Sequence, residues 1–112
     1  MRGTILSISP DGVETARQFE GEATLDDLQA AIGGGSVQVV PLFDIFQHGE
    51  DWHRCVVFCD EDGKVNNLTF NPKAQLHWQL AYNASGHLGA LDDALVGTVA
   101  IVWGDPDFME AL

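Results

Sequence analysis

Apolar and polar positions change period several times along the chain. Over residues 3–9 and 13–19 they partly alternate: Thr4, Leu6 and Ile8 share one face of the first stretch, Val13, Thr15, Arg17 and Phe19 one face of the second. A period of two predicts strands. Between them, Pro10-Asp11-Gly12 supplies a fixed φ, a side chain that bonds its own backbone and a residue free to take φ > 0. The stretch reads as an N-terminal β-hairpin. Leu25, Leu28, Ala31 and Ile32 then recur at helical spacing. Thr24 is suited to cap the freed amides of that helix, Asp26 and Asp27 suit its positive end, and Gly33-Gly34-Gly35 ends it. Residues 36–42 read as a strand reaching an edge or an end at Pro41.

Residues 43–53 have no clear period. Phe43, Ile45, Phe46 and Trp52 are mixed with Asp44, His48, Gly49, Glu50 and Asp51, a loop that either tucks its apolar groups under itself or offers them to a partner. Residues 54–59 form a compact apolar strand, Asp60-Glu61-Asp62-Gly63 a turn and residues 64–70 a return strand, which predicts a second hairpin. Asn71-Pro72 starts a second helix, with Ala74, Trp78 and Ala81 on its buried face, Leu80 and Tyr82 widening it, and residues 83–89 breaking it. Residues 97–104 are apolar on both faces, as an interior strand requires. Asp105-Pro106 then caps one or two closing helical turns. The order β-β-α-β-β-β-α-β predicts an α+β fold: a mainly antiparallel sheet of five to six strands with two helices packed on one face.

Length and composition narrow the class. A chain of 112 residues that is 46 % apolar is the size of one domain, residues 1–112, with a core that needs no staples. The absence of an 18-residue apolar run and of a secretory signal in Met1-Arg2-Gly3-Thr4 leads us to expect a cytoplasmic protein with no membrane contact. Charge changes the picture most. Seventeen acids face five bases, a net charge of −12. Direct nucleic-acid binding needs clustered Lys and Arg, whereas Arg2, Arg17, Arg54, Lys64 and Lys73 are scattered. Each half of the chain carries −6, so the charge belongs to a folded surface and not to a tail.

Candidate chemistry is sparse. On one strand Cys55 and Cys59 would sit about 13 Å apart, too far for a disulfide. With His48 and His53 they make a set of zinc-ligand types, but Val56-Val57-Phe58 between the thiols favours two buried, reduced cysteines. Asp60-Glu61-Asp62-Gly63 resembles part of a calcium loop, yet Phe58 and Thr69 fall where that loop needs ligands. No cofactor or metal is expected. His77 and His87 have no identifiable nucleophile or orienting group, so an enzyme is not expected either. The acidic and aromatic mixtures point instead to protein binding. The candidate contact residues are Asp44, Phe46, Glu50, Asp51 and Trp52, then Asp60, Glu61 and Asp62, then Asp105 and Asp107. Spaced carboxylates on a folded surface can present a potential like that of nucleic-acid phosphates. The alternative is a small-molecule site or small enzyme with a pocket between the sheet and the second helix, near Asn71, His77 and Trp78.

Several motifs resemble one family. Leu25-Asp26-Asp27-Leu28-Gln29, Ile32-Gly33-Gly34, Val37-Gln38-Val39-Val40-Pro41-Leu42, Cys59-Asp60-Glu61-Asp62-Gly63-Lys64, Phe70-Asn71-Pro72-Lys73-Ala74 and Ala94-Leu95-Val96-Gly97 occur in the order typical of the domain of unknown function 3846 family. Trp78 and Tyr82 stand where that family usually places a tyrosine or similar group, and residues 43–53 are longer than its usual connection. The resemblance implies a small accessory protein of a bacteriophage, plasmid or integrated element in a bacterial cytoplasm, with no catalytic residues to carry over. Joined to the charge, it implies an inhibitor of a basic host protein or nucleoprotein complex, of the anti-CRISPR or anti-restriction type. Whether the chain forms a homodimer stays open.

Overall fold

The turn at Pro10-Asp11-Gly12 closes the expected hairpin. In a computed structural model that describes residues 1–112, β1 (Arg2–Ile8) pairs antiparallel with β2 (Glu14–Glu20), and Gly12 takes φ +84° in the turn. Thr24 caps α1 (Leu25–Ala31): its Oγ1 accepts from the Asp27 amide at 3.2 Å, and the Asp27 carboxylate accepts from the Thr24 amide at 2.8 Å. Gly33 and Gly34, both at positive φ, send their amides back to Ala30 and Gln29 and end the helix. Leu28 and Ile32 are buried as expected, but Leu25, in the first turn, stays 60 % exposed.

The short β3 (Val37–Val39) pairs with β6 (Val56–Asp60), and β6 pairs with β7 (Val99–Gly104). Since β7 also pairs with β1, the sheet runs β2-β1-β7-β6-β3, all antiparallel, with the doubly apolar strand at its centre. Asn71 caps α2 (Pro72–Ala84), and Asp105 caps α3 (Pro106–Glu110). The α+β class and the mainly antiparallel sheet of five strands are those the sequence predicts, with a separate two-stranded sheet in addition.

Three expectations are corrected. The strand expected at residues 64–70 does not form, because β3 and β7 already occupy both edges of β6. Residues 61–67 instead coil through turns closed by bonds from the Asn66 amide to Asp62 and the Leu68 amide to Gly63, leaving a single bridge between Phe70 and Val96. The helices do not share one face. Leu6, Ile8, Val57, Val99 and Ile101 pack with Ala74, Trp78 and Ala81 of α2, whereas Ile5, Phe58, Ala100 and Val102 pack with Leu28, Ile32 and Phe108 of α1 and α3. A sheet apolar on both faces needs cover on both. Finally, Leu80 does not widen the buried face of α2; it is 43 % exposed.

The ambiguous residues 43–53 form a hairpin of their own, β4 (Ile45–His48) and β5 (Asp51–Arg54). Gly49, with φ +65°, takes the first of the two turn positions, where a type II′ turn requires a positive φ. β3–β4 and β5–β6 are the two arms of one long ribbon. It is interrupted near Pro41 and Leu42, where Leu42 takes φ +60°, and bonds from Val40 N to Val57 O and Cys55 N to Asp44 O bracket the break. The outer half thereby folds out of the main sheet.

Candidate partner-binding site

Cross-strand register decides what the folded-out hairpin presents. Phe46 lies opposite His53 and His48 opposite Asp51, so these four share a face; Gln47 opposite Trp52 and Ile45 opposite Arg54 share the other. The first face closes on the body. The Phe46 ring is 4.9 Å from that of His77 and 5.5 Å from that of Trp103, centre to centre, while His53 stacks on Trp103 at 5.2 Å and 22° and His48 lies 5.3 Å from it. Phe46, only 2 % exposed, is therefore a core residue and not the partner contact its aromatic-acidic neighbourhood suggested. Trp52, on the outer face, is 49 % exposed and remains available, as do Asp44, Glu50 and Asp51. The sequence did not single out Trp103; its sole signal was an aromatic at the end of an otherwise aliphatic strand.

Burial sets the state of both thiols and of the His77 imidazole. Cys55 is buried with its Sγ toward the Phe43 carbonyl, and burial, helped by the charge of Asp44, pushes its pKa up to about 12. Burial likewise raises Cys59, with Asp60 and Asp93 adding to it. Burial lowers His77 despite Glu14, and Lys73 lowers it further. No group of three or more His, Cys, Asp and Glu converges as metal ligands would. The space between sheet and α2 is filled by Ala74, Trp78 and Ala81. Asn71, wholly buried, donates to the carbonyls of Ile8 (2.8 Å) and Gly97 (2.9 Å) and accepts from the Ala74 amide (3.1 Å). The Trp78 indole donates to the Pro41 carbonyl at 2.9 Å. Beside this filled region opens a cleft of about 310 Å³, where Val40, Cys59, Trp78 and Leu95 meet Asp60 and Glu61.

The acidic candidates divide into three places. By extension of the β6–β7 register Asp60 lies level with Thr98; Asp105, seven residues further along, is roughly 24 Å away at about 3.4 Å per residue. Asp60, Glu61 and Asp62 therefore mark one end of the sheet. Asp105 and Asp107 mark the other, with Asp44 facing the start of α3 across a cleft of about 540 Å³. Glu50 and Asp51 lie at the hairpin tip. Asp105 is engaged internally: it accepts from the amides of Arg2 (2.7 Å) and Phe108 (2.9 Å) and lies 3.5 Å from the terminal ammonium. The bonds from Phe108 and Arg2 hold its carboxyl below the usual range, while its side chain stays 40 % exposed.

The other ion pairs join Arg2 to Glu20, Arg17 to Asp27, Lys64 to Asp93 and Lys73 to Glu14. Twelve of the seventeen carboxylates thus have no cationic nitrogen within 4.0 Å, including Asp44, Glu50, Asp51, Asp60, Glu61, Asp62 and Asp107. Carboxylates so left can hold Lys and Arg side chains of a partner. No helix is long and apolar enough to cross a membrane.

No curated protein and no solved structure matches the chain. The family described as a domain of unknown function (DUF3846) matches residues 1–110, nearly the whole length, and the chain belongs to that family.

Proposed function

We propose that the chain is a non-catalytic, acidic protein-binding factor of a phage or other mobile element, acting in the bacterial cytoplasm. It engages a basic host protein or nucleoprotein complex and inhibits a nucleic-acid-binding defence machinery of the anti-CRISPR or anti-restriction kind, as a nucleic-acid mimic. The observation that supports this reading is the dozen carboxylates with no internal counter-charge, spread over both ends of a sheet and a hairpin tip. A surface at −12 that neutralised itself would steer nothing; one left open draws a cationic groove toward it at rates that fall with salt. The small-molecule reading has less support, because Asn71 and Trp78 already have their hydrogen-bond partners inside the fold.

The test is capture from host lysate at low and high salt, identification of what is retained, and competition with the captured protein's own nucleic acid. Retention of a nucleic-acid-binding protein, released by salt and displaced by its DNA or RNA, is the expected result. Retention unaffected by either would remove the mimicry.

A further inference from the structure

β3 is the outermost strand on its side of the sheet, and its free edge is chemically unfinished. Its register on β6, with flanking bonds from Val40 N to Val57 O and Glu61 N to Ser36 O, fixes which backbone groups face inward. In an antiparallel ladder, residues that exchange bonds with the partner alternate with residues whose N–H and C=O point away. Ser36, Gln38 and Val40 therefore face β6, and the backbone groups of Val37 and Val39 point outward, where no loop or helix of the chain bonds them. The opposite edge strand, β2, carries Glu14, Arg17 and Glu20; β3 has no charge or proline within it to blunt its edge, and Val39 is 54 % exposed.

The cleft of about 310 Å³ described above opens beside this edge. Val40, Trp78 and Leu95 line it together with the acidic Glu61, while Lys64 at the same rim is already engaged by Asp93. We infer that the β3 edge and this cleft together dock an extended basic segment of the partner protein, which adds to the sheet as a sixth strand and lays an Arg or Lys side chain in the cleft. This rests on the cationic partner proposed above and specifies its contact. Main-chain bonds to Val37 and Val39 supply affinity, and pockets for alternate side chains supply specificity. Every second side chain of the added strand falls on the α2 face. There the methylene stem of Arg or Lys lies against Val40 and Leu95 while its charged head reaches Glu61.

The experiment titrates the isotope-labelled full chain with a short blocked peptide of alternating Arg and Val. Its counterparts are a Glu–Val peptide and an Arg–Val peptide N-methylated along one edge. The Arg–Val peptide is expected to slow amide exchange at Val37 and Val39 and to shift Cys59 and Leu95, and the Glu–Val peptide to do neither. N-methylation, or Val39→Pro in the protein, is expected to weaken binding about tenfold or more, the equivalent of one or two lost hydrogen bonds. Proline is tolerated on an edge where the amide faces solvent, and the N-methylated peptide asks the same question without altering the protein. An N-methylated peptide that binds as tightly as its parent overturns the inference. So does binding that leaves Val37 and Val39 unchanged and perturbs residues 44–54 or 105–110, although the cationic-partner reading then stands. No binding of the Arg–Val peptide at low salt overturns both.

Discussion

Around Asn71, between β1, β7 and α2, each polar atom of the side chain has a partner, and no buried side-chain polar atom in the chain lacks one. Around the rim, from Asp60-Glu61-Asp62 to the Glu50-Asp51 tip, carboxylates stand without counter-charges. The same chain closes its hydrogen bonds inside and leaves its charges open outside. Interior polar groups fix the fold, because an unpaired buried group costs its full desolvation. Rim charges contribute little to stability, since solvent screens them, and are free to meet another molecule. The β4–β5 hairpin spans the two regions, with Phe46 inside and Trp52 outside.

Breaking the interior side of the hairpin should have the largest effect. Phe46→Ala removes a ring wedged between His77 and Trp103 and should cost about 3–5 kcal/mol in chemical denaturation. Amide exchange should quicken over residues 45–54 while the five-stranded sheet stays protected. An unchanged midpoint would mean that the hairpin belongs wholly to the rim. Asn71→Ala should cost about 2–4 kcal/mol by the same measurement, since it removes a helix cap and leaves the Ile8 and Gly97 carbonyls short of a donor.

A smaller, pH-dependent loss belongs to carboxylates held by structure. Backbone and side-chain bonds from Thr24 lower Asp27, and the amides of Phe108 and Arg2 lower Asp105. A carboxyl depressed in the folded state stabilises fully above its unfolded value, and that stability is lost as pH falls through the folded value. Acid should therefore erode the fold from about pH 4 downward. In Asp27→Asn or Asp105→Asn, melting temperatures recorded over that range should show a flatter limb. The smallest effect should come from the rim: Glu50→Gln with Asp51→Asn should change stability by no more than about 0.5 kcal/mol. A larger loss would mean that those charges hold the hairpin.

What the sequence disclosed follows the same division. Local chemistry was legible: the caps at Thr24, Asn71 and Asp105, the stop at Gly33-Gly34 and the doubly apolar central strand all follow from residues close in sequence. The β4–β5 hairpin was not, because Ile-Phe-Gln-His and Asp-Trp-His-Arg lack clean alternation and their placement is set by Trp103 and His77, distant in the chain. Residues 64–70 misread as a strand because Val65, Leu68 and Phe70 have strand character, while the occupied edges of β6 are a tertiary fact. For the candidate site, sequence supplied the carboxylates but not their engagement. Asp105 and Asp107 look alike until the Arg2 amide arrives from the other end of the chain.

The central claim is that the open carboxylates make the contact with a cationic partner. Its most direct test is the slope of log Kd against log salt for the purified complex, for the wild-type chain and for one with Glu50, Asp51, Asp60, Glu61 and Asp62 all changed to Lys. The account predicts a steep slope for the wild type and a loss of binding for the variant, whose unfolding midpoint shows it still folded. Equal affinity and equal slope for the two chains would contradict it.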